Sequence, residues 1–240
     1  MQILYTVVFC FFTTLISSQK ISGRVTYVVS TEPFSDKKID SLTKSSKFKN
    51  LKMNSWMKRV LKNTPDVNAF LEFNNQESIY YVEDKMQNDG KSIVNTNRLY
   101  AGGDNTYYKN NNTKEFYHES DVFGEPSLID LPKKKWKITQ ESKVIGGYVC
   151  YKAIDLSYKN NSTFAWFTPQ IPVSFGPKAW ADLPGLILEI QLKRIKFIAT
   201  KIVLNPKNKI TINKPTKGKR VTEEEAKKRY SSFWKSIQKQ

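Results

Sequence analysis

Apolar and polar residues alternate in short runs along most of the chain, and turn-forming residues separate the runs. In residues 21–30, Val25, Tyr27 and Val29 share one face of the extended chain, which is the period of a half-buried strand. Asn- and Gly-rich turns between the runs favour an antiparallel meander over βαβ units. Similar runs predict strands over residues 67–73, 77–83, 98–101, 106–109, 114–118, 136–140, 147–158, 162–168, 186–193 and 195–204.

Two segments have the period of an amphipathic helix instead. Apolar residues spaced three and four apart over residues 53–61 predict a helix ending near Asn63, which either packs on the sheet or lies on a membrane surface. Near the C-terminus, Thr222 and Glu225 form a capping box, and the apolar face that follows predicts a helix over residues 222–238. The Lys-, Asn- and Pro-rich residues 206–220 predict a loop, called the basic loop below.

These elements predict one mainly β (β-rich α+β) domain over residues 19–240. We expect a single strongly curved antiparallel sheet or partial barrel, with a helix after the first strand and a C-terminal helix. A hydrophobic content of 39% and an aromatic content of 13% are sufficient for a packed core.

The first 18 residues carry no charged side chain, and their apolar run ends in the small residues Ser17 and Ser18. This pattern predicts a cleavable signal peptide over residues 1–18, with cleavage near Ser18 and Gln19. The run is too short to cross a bilayer, which takes about 20 residues, and Phe9 before Cys10 does not fit a lipidation site. We therefore expect an exported protein, not integral to a membrane, that is periplasmic, extracellular or associated with the outer membrane.

The net charge of +17 is concentrated in two stretches of the chain. Between Asp40 and Asp66, and again over residues 193–220, basic residues occur without any acid. Such stretches either attract polyanions, including lipid headgroups and anionic polysaccharide, or form a solvated basic surface. Because no nucleic-acid-binding motif accompanies the charge, we expect no nucleic-acid partner, and an anionic surface stays open as a partner.

Few residue patterns support catalysis. The sequence has one histidine, His118, and no nucleophile elbow, phosphate-binding loop or paired-cysteine motif. Acid pairs such as Asp121 and Glu125 are more typical of solvated loops than of a glycosidase pair. Cys150, the one cysteine left after cleavage, is expected to be a buried small hydrophobe, with an exposed redox or copper-binding thiol as the alternative. We expect no enzymatic activity, no cofactor and no metal site.

The most informative stretch is residues 165–189, where a strand leads into a loop rich in proline and glycine. Proline fixes φ and removes a backbone donor, whereas glycine permits turns that are closed to other residues. Such a rigid apolar connection either borders a binding cleft or plugs one end of the sheet, and the residues alone favour the plug. The candidate ligand-binding residues are Trp166, Pro169, Pro172, Gly176, Pro177, Leu183, Pro184 and Gly185.

This stretch closely resembles the signature of the GLPGLI family, exported proteins of Gram-negative bacteria. Residues 182–187 read DLPGLI, with Asp182 in place of the first glycine, and residues 147–153 (GYVCYKA) resemble the segment that precedes the motif. The resemblance implies a β-rich fold and a place in the cell envelope, and it transfers no catalytic residues. Asp40-Ser41-Leu42 resembles an O-glycosylation site of exported proteins in such bacteria.

Three functions remain open from the sequence. The first is non-enzymatic binding of an envelope ligand or partner, which predicts an apolar or aromatic cleft beside the loop between Trp166 and Leu188. The second is a periplasmic carrier of acylated or lipid cargo, which needs a continuous apolar cavity of hundreds of Å³. The third is a carboxylate-dependent hydrolase, which needs two facing acids about 5–10 Å apart in a cleft.

Overall fold

The computed structural model describes residues 20–44, 62, 64–84, 95–122, 125–157 and 163–237. The predicted signal peptide with its cleavage near Ser18 and Gln19 lies outside the described residues, and so does the predicted helix over residues 53–61.

Strands are the commonest regular elements of the described residues, with three helices between and after them. The helices are α1 (Asp36–Lys44), α2 (Thr96–Ala101) and α3 (Glu223–Ile237). The strands are β1 (Gly23–Thr31), β2 (Val67–Phe73), β3 (Glu77–Val82), β4 (Thr106–Asn110), β5 (Glu115–Val122), β6 (Glu125–Asp130), β7 (Trp136–Ile145), β8 (Tyr148–Asp155), β9 (Thr163–Thr168), β10 (Leu186–Leu192), β11 (Ile195–Leu204) and β12 (Lys219–Val221).

All twelve strands belong to one large sheet, in the order β12-β6-β5-β4-β3-β2-β1-β11-β10-β9-β8-β7. Two antiparallel meanders, β1 to β6 and β7 to β11, meet where β1 pairs with β11. β12 is the exception, because it pairs with β6 in parallel and takes the last two residues of the basic loop, Lys219 and Arg220.

The mainly β class is confirmed, together with a helix after the first strand and a C-terminal helix. The predicted capping box is present, since Thr222 Oγ1 accepts from the Glu225 N–H at 3.2 Å and Glu225 Oε2 accepts from the Thr222 N–H at 2.8 Å. The described helix after β1 is α1, not the predicted segment over residues 53–61, and it carries Ser41 in an exposed position. Strong curvature and the single-domain division stay predictions.

The predicted strand over residues 98–101 is wrong, because these residues belong to α2. The Asn95 side chain accepts from the N–H groups of Asn97 and Arg98 and so caps the first turn. Gly102, with φ of 133°, ends the helix and donates its N–H to the carbonyls of Arg98 and Leu99. Local capping therefore outweighs the β-like composition of this short run.

The main core extends along the sheet and under residues 169–185. Val25, Tyr27 and Val29 on β1 are fully buried, as the alternation predicts. Cys150 on β8 is also buried and unpaired, which confirms its predicted role as a small apolar side chain. Burial raises the pKa of its thiol to about 11, so the reactive thiolate is disfavoured at neutral pH.

Candidate functional site: a polar cleft beside the signature loop

The connection between β9 and β10, residues 169–185, is called the signature loop here. It has no regular secondary structure, yet its apolar side chains are buried: Ile171, Phe175 and Leu183 are each no more than 1% exposed. Phe175 packs against Phe73 of β2, with ring centroids 6.2 Å apart. The signature loop therefore fills part of the core with its apolar side chains, as the residues alone predict.

Two glycines let the signature loop fold this closely. A Cβ atom on Gly185 would lie 2.2 Å from the carbonyl oxygen of Thr168, and its φ of 157° is one that other residues rarely adopt. A Cβ atom on Gly176 would lie 2.5 Å from the carbonyl oxygen of Trp180. Both glycines are therefore needed for the path of the backbone, whatever else the loop does.

The other predicted ligand-binding residues are spread over several environments. Trp166 is buried in β9, where Lys143 Nζ lies 4.4 Å from its ring centroid and also donates to Glu189 Oε2 at 2.7 Å. The prolines divide between exposed and buried positions: Pro169, Pro172 and Pro184 are exposed and Pro177 is buried. Gly176 borders a cavity of about 10 Å³, which has room for one water molecule.

A larger cleft, of about 300 Å³, opens beside the signature loop and is called the polar cleft here. The loop contributes Asp182 to it, and the sheet contributes residues from β4, β5, β6 and β12, which are neighbours in the strand order. None of the eight predicted ligand-binding residues lines it. The lining residues are Lys109, Asn110, Asn111, Lys114, Phe116, Asp130, Leu131, Lys133, Asp182 and Arg220.

Asp182 joins the signature loop to the polar cleft. Its φ of 71° lies in the left-handed region, where aspartate is tolerated better than most residues, and this explains why a glycine would also fit the position. One carboxylate oxygen, Oδ1, accepts from Lys109 Nζ at 2.7 Å. The other, Oδ2, is buried without a hydrogen-bond partner. The cleft wall therefore contains one acceptor whose hydrogen-bonding capacity is unused.

The remaining charges of the polar cleft are mostly positive. Arg220 is shared, since it donates to Asp130 Oδ1 at 2.8 Å and to Glu115 Oε1 at 3.1 Å. Lys114 and Lys133 are exposed, and neither forms an ion pair with the part of the chain that the structure describes. Four cations and two carboxylates line the cleft, so it favours an anionic group.

Burial disfavours the charged forms of two side chains at the signature loop, His118 and Lys178. Burial, with a contribution from nearby Lys178, lowers the pKa of His118 to about 4. Its Nδ1 is buried without a hydrogen-bond partner, and its ring stacks on Tyr107 with centroids 5.1 Å apart. Burial also lowers the pKa of Lys178 to about 8, while its Nζ donates to the Tyr100 carbonyl at 2.8 Å.

Sequence reasoning missed the polar cleft because its walls come from distant parts of the chain. Lys109, Asp130 and Arg220 lie on three different strands, and no motif connects them. The one available signal was Asp182, the position at which the sequence departs from the motif.

The described residues hold no group of three or more His, Cys, Asp or Glu side chains that is arranged to bind a metal ion. Within the same residues, no helix has both the length and the apolar character needed to cross a membrane.

Residues 156–189 match a protein family described as "Protein of unknown function (Porph_ging)". The match overlaps the stretch that resembles the GLPGLI family, and the GLPGLI name itself stays a prediction. No curated protein matches the chain.

Two crystal structures of PNGF-II, in different space groups, are similar to this fold. One has a TM-score of 0.54 at 16% identity and the other a TM-score of 0.52 at 17% identity. The similarity covers 87% and 88% of this chain but 32% of the PNGF-II chain in each case, so this chain spans about a third of that protein's length. At such identities the likeness concerns the fold alone.

Proposed function

We propose that this chain is an exported, non-enzymatic binding protein of the cell envelope, and that the polar cleft is its ligand site. The export and envelope location rest on the predicted signal peptide and on the family resemblance of residues 145–189. The cleft differs from the apolar one expected beside the loop, because lysine, arginine and carboxylate side chains line it.

The observation that carries this proposal is the arrangement of charge around Asp182. Lys114 and Lys133 offer free cations for an anionic group of the ligand. The Asp182 side chain is partly exposed in the cleft, so its carboxylate can accept a hydrogen bond from a donor on the same ligand. A ligand with both an anionic group and a hydroxyl donor, such as an acidic sugar or a hydroxy acid, fits these two features.

The state of the candidate catalytic side chains supports a non-enzymatic role. The sole histidine of the sequence, His118, is neutral at pH 7 because its pKa is lowered to about 4, and it packs against Tyr107. Cys150 is buried with its thiol protonated. Neither side chain has the environment of a general base or an activated nucleophile at neutral pH.

Titration calorimetry with glucuronate tests the ligand class, because glucuronate carries one carboxylate and several hydroxyl donors. We expect binding to weaken about tenfold, or about 1.4 kcal/mol, in Lys114→Gln/Lys133→Gln. The control Lys137→Gln/Lys193→Gln removes the same charge from exposed positions outside the cleft lining and should bind as the wild type does. Glucose, which lacks the carboxylate, should not bind.

Asp182→Asn separates a specific contact from general electrostatic attraction. If a ligand hydroxyl donates to Asp182, the substitution weakens glucuronate binding. If only net charge matters, removing a carboxylate strengthens it. Stronger binding in Asp182→Asn, or no glucuronate binding by the wild type at 10 mM (roughly the weakest affinity of interest), would contradict the proposed ligand class.

A second candidate function is the carboxylate-dependent hydrolase, which is favoured by the presence of Asp130 and Asp182 in one cleft. Each carboxylate contacts a cation, Arg220 and Lys109 respectively. Release of 4-nitrophenol from 4-nitrophenyl glucuronide by the wild type, and its loss in Asp130→Asn, would establish this function over simple binding. The acyl-carrier hypothesis has less support, since neither the polar cleft nor the groove described below is a continuous apolar cavity.

A further inference from the structure

The basic loop covers part of the sheet face opposite the core. Arg24 and Thr26 on β1 point to this face, because their neighbours Val25 and Tyr27 point into the core. Between this face and the basic loop lies a groove of about 690 Å³, called the basic groove here. Its lining residues are Arg24, Thr26, Phe70, Glu72, Lys201, Val203, Pro206, Lys207, Asn208, Lys209, Ile210 and Thr211.

Hydrogen bonds at both ends hold the basic loop over the groove. At the start, Asn205 donates its N–H to the Ser22 carbonyl at 2.7 Å, and Asn205 Oδ1 accepts from the Ser22 N–H at 2.9 Å. Further along, the carbonyl of the buried Pro215 accepts from Tyr117 Oη at 2.8 Å. The groove is therefore a built feature of the fold, because hydrogen bonds hold the basic loop to Ser22, just before β1, and to Tyr117 of β5.

The single carboxylate in the lining is already neutralised. Glu72 Oε1 accepts from Arg24 Nε at 2.9 Å, lies 2.6 Å from Arg24 Nη2, and also accepts from Tyr81 Oη at 3.0 Å. Lys201, Lys207 and Lys209 are exposed and form no ion pair with any described residue. Three uncompensated positive charges therefore surround a floor made partly of Phe70 and Val203.

The kind of basic side chain in the groove indicates which anionic group a ligand would carry. Arginine suits planar carboxylates through paired hydrogen bonds, and the one arginine here is occupied by Glu72. Lysine acts as a compact point charge and commonly binds phosphate. The half-buried Phe70, Val203 and Ile210 offer apolar contact to the part of the ligand that bears the phosphate.

We propose that the basic groove is a second binding site, for a phosphate group carried on a partly apolar molecule. Such a group is available from a soluble phosphate ester and from a phospholipid headgroup. This site lies apart from the polar cleft and shares no lining residue with it.

Two probes distinguish the sources of the phosphate. Inorganic pyrophosphate is titrated by calorimetry, and vesicles of phosphatidylglycerol and phosphatidylcholine are used in a sedimentation assay against pure phosphatidylcholine vesicles. The variant Lys201→Gln/Lys207→Gln/Lys209→Gln should weaken binding to the responsive probe at least tenfold. The control Lys135→Gln/Lys137→Gln/Lys193→Gln removes three charges at exposed positions outside the groove lining and should change binding less than twofold.

Each outcome of these two assays supports or overturns the proposed phosphate site. Pyrophosphate binding that depends on the three groove lysines supports a soluble phosphate ester, and vesicle binding that depends on them supports a lipid headgroup. Equal losses in the groove variant and its control would show attraction by net charge alone and overturn the site. Absence of binding to both probes would overturn it as well. All six substitutions are at exposed side chains, and circular dichroism checks that the variants are folded.

Discussion

The signature loop and the basic loop are both irregular connections of similar length, but they are held in opposite ways. The signature loop is buried, with apolar side chains in the core and two glycines in close backbone contact. The basic loop is mostly exposed and is held by polar contacts near its ends, from Asn205 and to Pro215. Apolar packing therefore holds the signature loop in place, whereas hydrogen bonds hold the basic loop.

The residues that make the sequence recognisable are therefore not the residues that line the candidate binding sites. The recognisable residues of the signature loop satisfy the packing and backbone requirements of the fold, and none of the eight predicted ligand-binding residues lines the polar cleft. The exposed lysines of the cleft and the groove lie where the fold places few restrictions on residue type. Members of a family can therefore share a signature and differ in what they bind.

Gly185→Ala should have the largest effect on stability. The added methyl would meet the Thr168 carbonyl at 2.2 Å, in a backbone conformation that alanine rarely adopts. We expect a loss of about 4 kcal/mol or more in the free energy of unfolding, measured by urea denaturation. Gly147→Ala is the control, since that glycine has a φ of 86° but no atom within 4 Å of the added methyl, and should lose about 1 kcal/mol. Equal losses would contradict the close-contact argument.

Phe175→Ala in the signature loop should cost about 3 kcal/mol, because the ring is fully buried against Phe73 and its removal leaves a cavity. The comparable change in the basic loop, Ile210→Ala, should cost less than about 1 kcal/mol, because that side chain is half-buried in an open groove. Chemical denaturation of both variants measures the comparison. A larger cost for Ile210→Ala would show that the basic loop is also held by packing.

Acid should weaken the packing around the signature loop through His118. Its pKa is about 4 in the folded protein and 6.5 in the unfolded chain. Between pH 4 and pH 6.5 the unfolded chain therefore binds more protons than the folded protein does. The free energy of unfolding should therefore fall by about 2.5 kcal/mol as the pH falls from 6.5 to 4.

His118→Phe keeps the ring stacked on Tyr107 and removes the titration, so this variant should lose less stability over the same pH range. Urea denaturation at several pH values measures the difference between the variant and the wild type. An unchanged pH dependence in His118→Phe would assign the acid sensitivity to other groups.

Much of the sheet follows from the sequence, because local alternation decides it. The predicted bounds of β2 and β11 match the structure, and the core face of β1 is the predicted one. β6 and β12 were not predicted. β6 is a short run that contains Pro126, and β12 has three residues and exists through its parallel pairing with β6.

The binding surfaces were less predictable, for a physical reason. Lys109 and Asp182 meet across 73 positions of sequence, and Arg220 reaches Glu115 across 105. Such pairs depend on the strand order and leave no periodic pattern. In the basic loop the charge itself was evident in the sequence, but the groove beneath it depends on the pairing of β1 with β11.

The position of β1 in the sheet has a consequence for the order of events during synthesis. β1 is the first described strand, yet one of its two partners, β11, lies about 170 residues later in the chain. Contacts between such distant segments form slowly, because a long loop must close before they are gained. The junction of the two meanders therefore stays unformed until the ribosome has made residues 195–204, although β1 to β6 can pair with one another before then.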